Sequence, residues 1–167
     1  AMRGRDGHAR NKALVFSPAG ELLAFYSKMQ PFTPGGEPEY YQAGERPVAF
    51  RRGEWTVSPF ICYDLRFPEI FRDAMAAHRP ELFAVIANWP AKRVQHWVRL
   101  LQARAIENQA YVIGVNRLGS DPYYAYAGSS VIIDPQGEVL ADAGDREGCI
   151  RAQLDLAAVR KYRESLP

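Results

Sequence analysis

The stretch Ser58-Pro-Phe-Ile-Cys62-Tyr-Asp-Leu-Arg-Phe-Pro-Glu69 decides how this chain is read. The apolar run 55–61 predicts a strand that ends at a thiol. A charged, Pro-marked segment follows at once and predicts a helix over about 68–78. The end of a strand near the start of the next helix is where an α/β protein usually presents a nucleophile. Partial positive charge at a helix amino end favours thiolate over thiol. Working outward, Leu82-Phe-Ala-Val-Ile-Ala87 is apolar on both faces, as expected of a strand covered on two sides. Further strands are predicted over 111–115 and 149–154. A helix is predicted over 94–109, with Val94, Trp97, Val98, Leu101 and Ala105 on one face and Arg99, Gln102 and Arg104 on the other. A last helix is predicted from Asp155, as N-cap, to about Arg163. Residues 13–24 and 131–141 echo one another: each reads strand, Pro-x-Gly turn, strand, and the period is not sustained. They are two hairpins rather than a duplicated domain. Strands and helices alternating between two hairpins predict an α/β layered fold with a mixed sheet.

The chain's 167 residues suffice for one domain with a substantial core. Its 21 basic and 19 acidic residues leave a net charge of +2, which gives no argument for nucleic acid or a membrane surface as partner. No apolar run approaches the ~18 residues of a membrane-spanning helix, and no signal-peptide core is visible. Two cysteines, Cys62 and Cys149, do not make a disulfide framework; they predict a reducing, cytoplasmic setting in which a special Cys is catalytic. Cys149, in its predicted strand, reads as a small core hydrophobe. The Gly-rich, basic stretch 2–10 reads as a solvated loop.

A Cys nucleophile needs a proton acceptor and a group that stabilises an oxyanion. His8, His78 and His96 carry no motif that places them near Cys62, and Cys and His never cluster at metal-ligand spacing. Lys28 ends a predicted strand, where an ammonium group would hold a thiolate by charge and donate to a developing oxyanion. Alone, such a Lys is an ordinary surface residue; the joint pattern changes its weight.

Tyr26-Ser-Lys28-Met-Gln-Pro-Phe, Gly35-Gly-Glu37, Tyr41-Gln-Ala-Gly44, Ile61-Cys-Tyr-Asp-Leu-Arg-Phe-Pro-Glu69, Ala87-Asn-Trp-Pro90, Ala103-Arg-Ala-Ile-Glu-Asn-Gln-Ala-Tyr111 and Gly128-Ser-Ser-x-Ile-Ile-Asp-Pro-x-Gly-Glu138 follow one another in order. This series resembles the carbon–nitrogen hydrolase (nitrilase) superfamily, in its omega-amidase-like branch, from about Asn11 onward. The resemblance implies a four-layer α-β-β-α sandwich, here incomplete at the N-terminus, with residues 1–167 as the C-terminal portion of a single hydrolase domain. It implies no cofactor and no metal, a small-molecule amide substrate, and a homodimer or higher homo-oligomer. Carried over, Cys62 is the nucleophile, Lys28 the triad lysine and Glu37 the accessory glutamate, with Glu39 a weaker candidate for that role. The Tyr63 N–H would join Lys28 in the oxyanion hole, and Asn88 and Trp89 would line the substrate site. For Trp89, core packing is an equal reading. Asp64, Arg66, Glu107 and Asn108 would fix local structure.

One departure is large: the triad's base glutamate belongs upstream of the lysine, and here only Glu21, in a hairpin turn, precedes Lys28 among the glutamates. The implied reaction releases ammonia and a carboxylate through a Cys thioester. The alternative is an inactive fragment or pseudo-enzyme that acts only through oligomer contacts. Omega-amides, other short amides, N-carbamoyl compounds and nitriles all remain open as substrates.

Overall fold

The computed structural model describes residues 2–3 and 7–166. The chain runs β1 (Met2–Arg3), β2 (Ala9–Arg10), β3 (Lys12–Phe16), β4 (Leu22–Ser27), β5 (Phe50–Arg52), β6 (Trp55–Ile61), α1 (Pro68–His78), β7 (Leu82–Ala87), α2 (Val94–Asn108), β8 (Tyr111–Asn116), β9 (Leu118–Ser120), β10 (Ala125–Ala127), β11 (Val131–Ile133), β12 (Val139–Asp142) and α3 (Leu156–Ser165). Six strands form one mixed sheet in the order β12-β11-β8-β7-β6-β5. Its centre, β6-β7-β8, is parallel, and α1 and α2 are the two crossovers. This is an α/β architecture, as the alternation predicts.

The helices cover one face of the sheet. Phe71 of α1 stacks on Phe60 of β6 at 4.1 Å between ring centroids and meets Phe83 of β7 edge-on at 5.2 Å. Trp97 and Leu101 of α2 lie over Gly114 of β8. A Cβ built on Gly114 would stand 2.4 Å from a Leu101 methyl and 2.9 Å from the Trp97 ring. Gly114→Ala is therefore expected to destabilise the protein by about 1–3 kcal/mol through overpacking, read as a lowered thermal midpoint. On the opposite face Ile86 and Val115 remain about half exposed. The two-sided cover expected for β7 is thus full on the helix face and partial on the other.

Both Pro-x-Gly hairpins form, in different places. β3 and β4 pair only with one another, whereas β11 and β12 extend the large sheet. In each turn a side-chain oxygen holds the backbone: Ser17 accepts from the Ala19 and Glu21 N–H groups, Asp134 from those of Gln136 and Glu138. Asp155 caps α3 as expected, accepting from the Ala158 N–H at 3.0 Å.

Four readings are corrected. Stretch 2–10 is not simply a loop, since Met2 and Arg3 pair with Arg10 and Ala9; residues 4–6 lie outside the described residues. Residues 149–154 alternate in burial but have no ladder partner among the described residues, so the alternation marks an extended segment rather than a strand. Cys149 is exposed, not a core residue. Arg104 is buried, because its guanidinium donates twice to the Leu65 carbonyl, at 2.8 and 3.2 Å, and pairs with Glu107 at 2.9 Å. A satisfied guanidinium can occupy the apolar stripe, seven residues on from Trp97.

Candidate active site

β6 ends at Ile61 in an extended conformation (φ −126°, ψ 111°), and Cys62 then turns sharply with φ +49°. A residue with a β-carbon occupies this left-handed region at a cost of order 1–3 kcal/mol. A short 3-10 turn, Cys62–Arg66, separates the thiol from the start of α1 at Pro68. Cys62 therefore sits in that turn and not at the amino end of the helix, which removes the helix as the source of thiolate stabilisation expected from sequence. The half-buried thiol donates to the Asn88 carbonyl at 3.9 Å. Burial pushes its pKa up, only partly offset by the charge on Lys28 and the bond to Asn88. At rest the proton stays on sulfur.

Lys28 follows β4 directly and is 4% exposed. Its backbone is fixed on both sides, its N–H donating to Asn11 O and its carbonyl accepting from Gly44 N. Its ammonium donates to Glu37 Oε2. Glu37 lies in a single 3-10 turn that opens after Gly36 (φ +69°). Both of its oxygens are engaged: Oε1 accepts from Asn11 Nδ2 at 2.7 Å, and Oε2 accepts from the Phe32 N–H at 2.5 Å as well as from Lys28. Burial tends to raise this carboxyl, but the bonds from Asn11, Lys28 and Phe32 and the Lys28 charge outweigh it and hold Glu37 below the usual carboxylate range. Glu39 is exposed and is not among the residues that line the cavity described below.

Cys62, Lys28, Glu37, Tyr63, Asn88 and Trp89 all line one cavity of about 690 Å³ at the carboxyl ends of β6, β7 and β8. The six site residues predicted from sequence are brought together, and the three histidines are not among the residues that line it. Trp89 lines the cavity and also packs on Trp97 at 5.5 Å, with its ring N–H donating to Arg93 O. Its backbone is clamped by Asn116, whose Oδ1 accepts from Trp89 N at 2.7 Å while Nδ2 donates to Gly128 O at 2.7 Å.

Other lining residues escape sequence reasoning. Arg66, read from sequence as fixing local structure, lies over the Trp89 ring at 4.8 Å and contacts His96 Nδ1 at 3.4 Å. Arg93 also lines the cavity. Neither meets a carboxylate among the described residues, whereas Lys28 is paired with Glu37 and Arg117 with Asp121. The cavity thus carries two uncompensated positive charges. Its rim is the β9–β10 hairpin, closed by Asp121, which accepts from the Tyr123 and Tyr124 N–H groups and, at 2.5 Å, from the Tyr126 hydroxyl. Asn11 carried no local signal, because the carboxylate it holds is 26 residues away. Among the described residues no group of three His, Cys, Asp or Glu side chains stands ready to hold a metal ion, and no helix is long and apolar enough to cross a membrane.

The profile of the carbon-nitrogen hydrolase family matches residues 2–164. The omega-amidase YafV of Escherichia coli (strain K12) is 44% identical over 159 residues, covering 94% of this chain and 60% of the relative. The 2-oxoglutaramate amidase of Bacillus subtilis (strain 168) is 41% identical over 163 residues, covering 98% and 62%. The crystal structure of XC1258 from Xanthomonas campestris, a CN-hydrolase superfamily protein, superposes with a TM-score of 0.91 at 34% identity, covering 99% of this chain and 64% of that one. The chain spans about 60% of the length of the curated relatives it matches. The fold is that of the nitrilase superfamily. Matched along nearly its whole length by the profile, by amidases at over 40% identity and by a solved member of the superfamily, the chain belongs to the carbon-nitrogen hydrolase family.

Proposed function

We propose that this chain carries the reaction centre of an amidase that converts a small omega-amide to a carboxylate and ammonia. The convergence of Cys62 with the Lys28–Glu37 pair on one cavity is the observation that carries this reading. The sulfur attacks the amide carbon as its proton departs. The tetrahedral oxyanion that forms is stabilised by the Lys28 ammonium and the Tyr63 N–H. The C–N bond breaks and ammonia leaves with a proton. Water then hydrolyses the Cys62 thioester, releasing the carboxylate and restoring the thiol. Glu37, held ionised with both oxygens engaged, orients Lys28 and does not serve as the base. Asp121, the other carboxylate lining the cavity, is committed to the rim hairpin. Proton removal from Cys62 falls to a base other than these two.

Arg66 and Arg93 favour an amide whose far end is a carboxylate, and the names of the omega-amidase and 2-oxoglutaramate amidase relatives point the same way. The test is ammonia release by the protein carrying this chain, with monoamides of short dicarboxylic and 2-oxo-dicarboxylic acids compared with neutral amides of equal length. Faster turnover of the carboxylated amides is expected, and no release from any of them overturns the reading. Arg66→Gln is expected to raise KM for the carboxylated amide about 10-fold, the loss of one charge-assisted hydrogen bond, with kcat and the neutral amide little affected.

A further inference from the structure

We propose that Asp64 is a positioning residue that fixes Lys28 relative to Cys62 by tying the segment that bears Lys28 to the strand end that precedes Cys62. The inference rests on the catalytic reading of that pair. Asp64 is fully buried, two residues beyond the nucleophile. Its Oδ2 accepts from the Ile61 N–H at 2.9 Å and from the Tyr26 hydroxyl at 2.8 Å, and its Oδ1 accepts from the Gln30 N–H at 2.8 Å. Ile61 immediately precedes Cys62. Tyr26 and Gln30 stand two residues before and two after Lys28. The Tyr26 oxygen also accepts from the Met29 N–H at 3.3 Å, so the segment bearing Lys28 is held at three points by one carboxylate and one phenol. The same carboxylate holds the strand end from which the Cys62 elbow turns.

A purely structural part would be better filled by an apolar side chain, because a buried carboxylate without a contacting cation costs stability. Burial raises the Asp64 carboxyl to about 6, although the bonds from Ile61, Gln30 and Tyr26 and the more distant charge of Lys28 pull it down. The folded protein therefore binds this proton more tightly than the unfolded chain does. Through this group stability falls as pH rises from the ordinary value of 3.8 to about 6. The titratable groups in its surroundings are Tyr26, Lys28 and Cys62, and the phenol is itself pushed far up by burial and by Asp64. Nature keeps an acceptor-only group here because three donors converge on it and because those donors belong to the two reacting segments.

Two variants of the protein carrying this chain test the proposal. Asp64→Asn leaves one oxygen for three donors. It is expected to lower kcat per folded molecule at least 10-fold with KM within twofold, and the donors left unmatched lower the thermal midpoint. An unchanged kcat, or a loss confined to KM, overturns the proposal. Tyr26→Phe keeps the packing and every charge and removes one bond from Asp64, so it serves even where Asp64→Asn fails to fold. As Lys28 drifts from the thiol, the pH midpoint of Cys62 alkylation by iodoacetamide is expected to rise, slowing labelling about threefold below the midpoint. An unmoved midpoint overturns the proposal. Alkylation needs no amide substrate, so a failure of the amidase reading and a failure of this one are told apart.

Discussion

Cys62→Ala is expected to abolish ammonia release, lowering kcat by about 10,000-fold or more, while leaving the far-ultraviolet circular dichroism and thermal midpoint near those of the parent. On the proposed mechanism the sulfur forms the covalent intermediate. The other nucleophile, Lys28, is buried and donates its protons to Glu37. Without the thioester the remaining groups bind and polarise the amide but do not split its cleavage into two easier steps. The folded state should tolerate the change, because alanine removes one half-buried sulfur and keeps the β-carbon. Ammonia release at more than a few per cent of the parent rate would remove Cys62 from the nucleophile role.

Lys28→Met should lower kcat by about 100- to 1,000-fold, the loss of one oxyanion donor that also carries a charge. Methionine fills the same buried volume, so the effect reports the ammonium and not a void. Two further consequences separate this variant from a general loss of fold. Deprived of the charge that lowers it, the Cys62 thiol should alkylate only at higher pH. Glu37, no longer facing a cation but still bonded to Asn11 and Phe32, should titrate nearer the ordinary carboxylate range. Lys28→Arg is not expected to restore activity, because a planar fork on a longer stem does not fit where a compact ammonium is 4% exposed. Steady-state ammonia release and the pH profile of labelling check both statements.

The parallel centre of the sheet was legible because its signals are local. The run at 82–87 is apolar throughout, Pro68 marks the start of α1, and two Pro-x-Gly turns announce the hairpins. The six candidate residues were legible as neighbours because motifs in a fixed order fix their places in the fold, and one cavity gathers all six. What sequence left unread depends on partners far along the chain. Arg104 looked like a solvent residue because nothing near it in sequence announces the Leu65 carbonyl 39 residues away. Residues 149–154 alternate like a strand, yet a strand needs a hydrogen-bonding neighbour, which alternation does not reveal. Asn11 is 26 residues from the carboxylate it holds, and the charge balance that singles out Arg66 and Arg93 appears only once the pairs Lys28–Glu37 and Arg117–Asp121 are seen.

The backbone at position 62 favours one residue and the proposed chemistry demands another. Glycine would relax the φ of +49° without penalty but offers no sulfur. Conformation and reactivity therefore select in opposite directions at a single site. A lineage released from its reaction would be free to drift there toward glycine and gain stability.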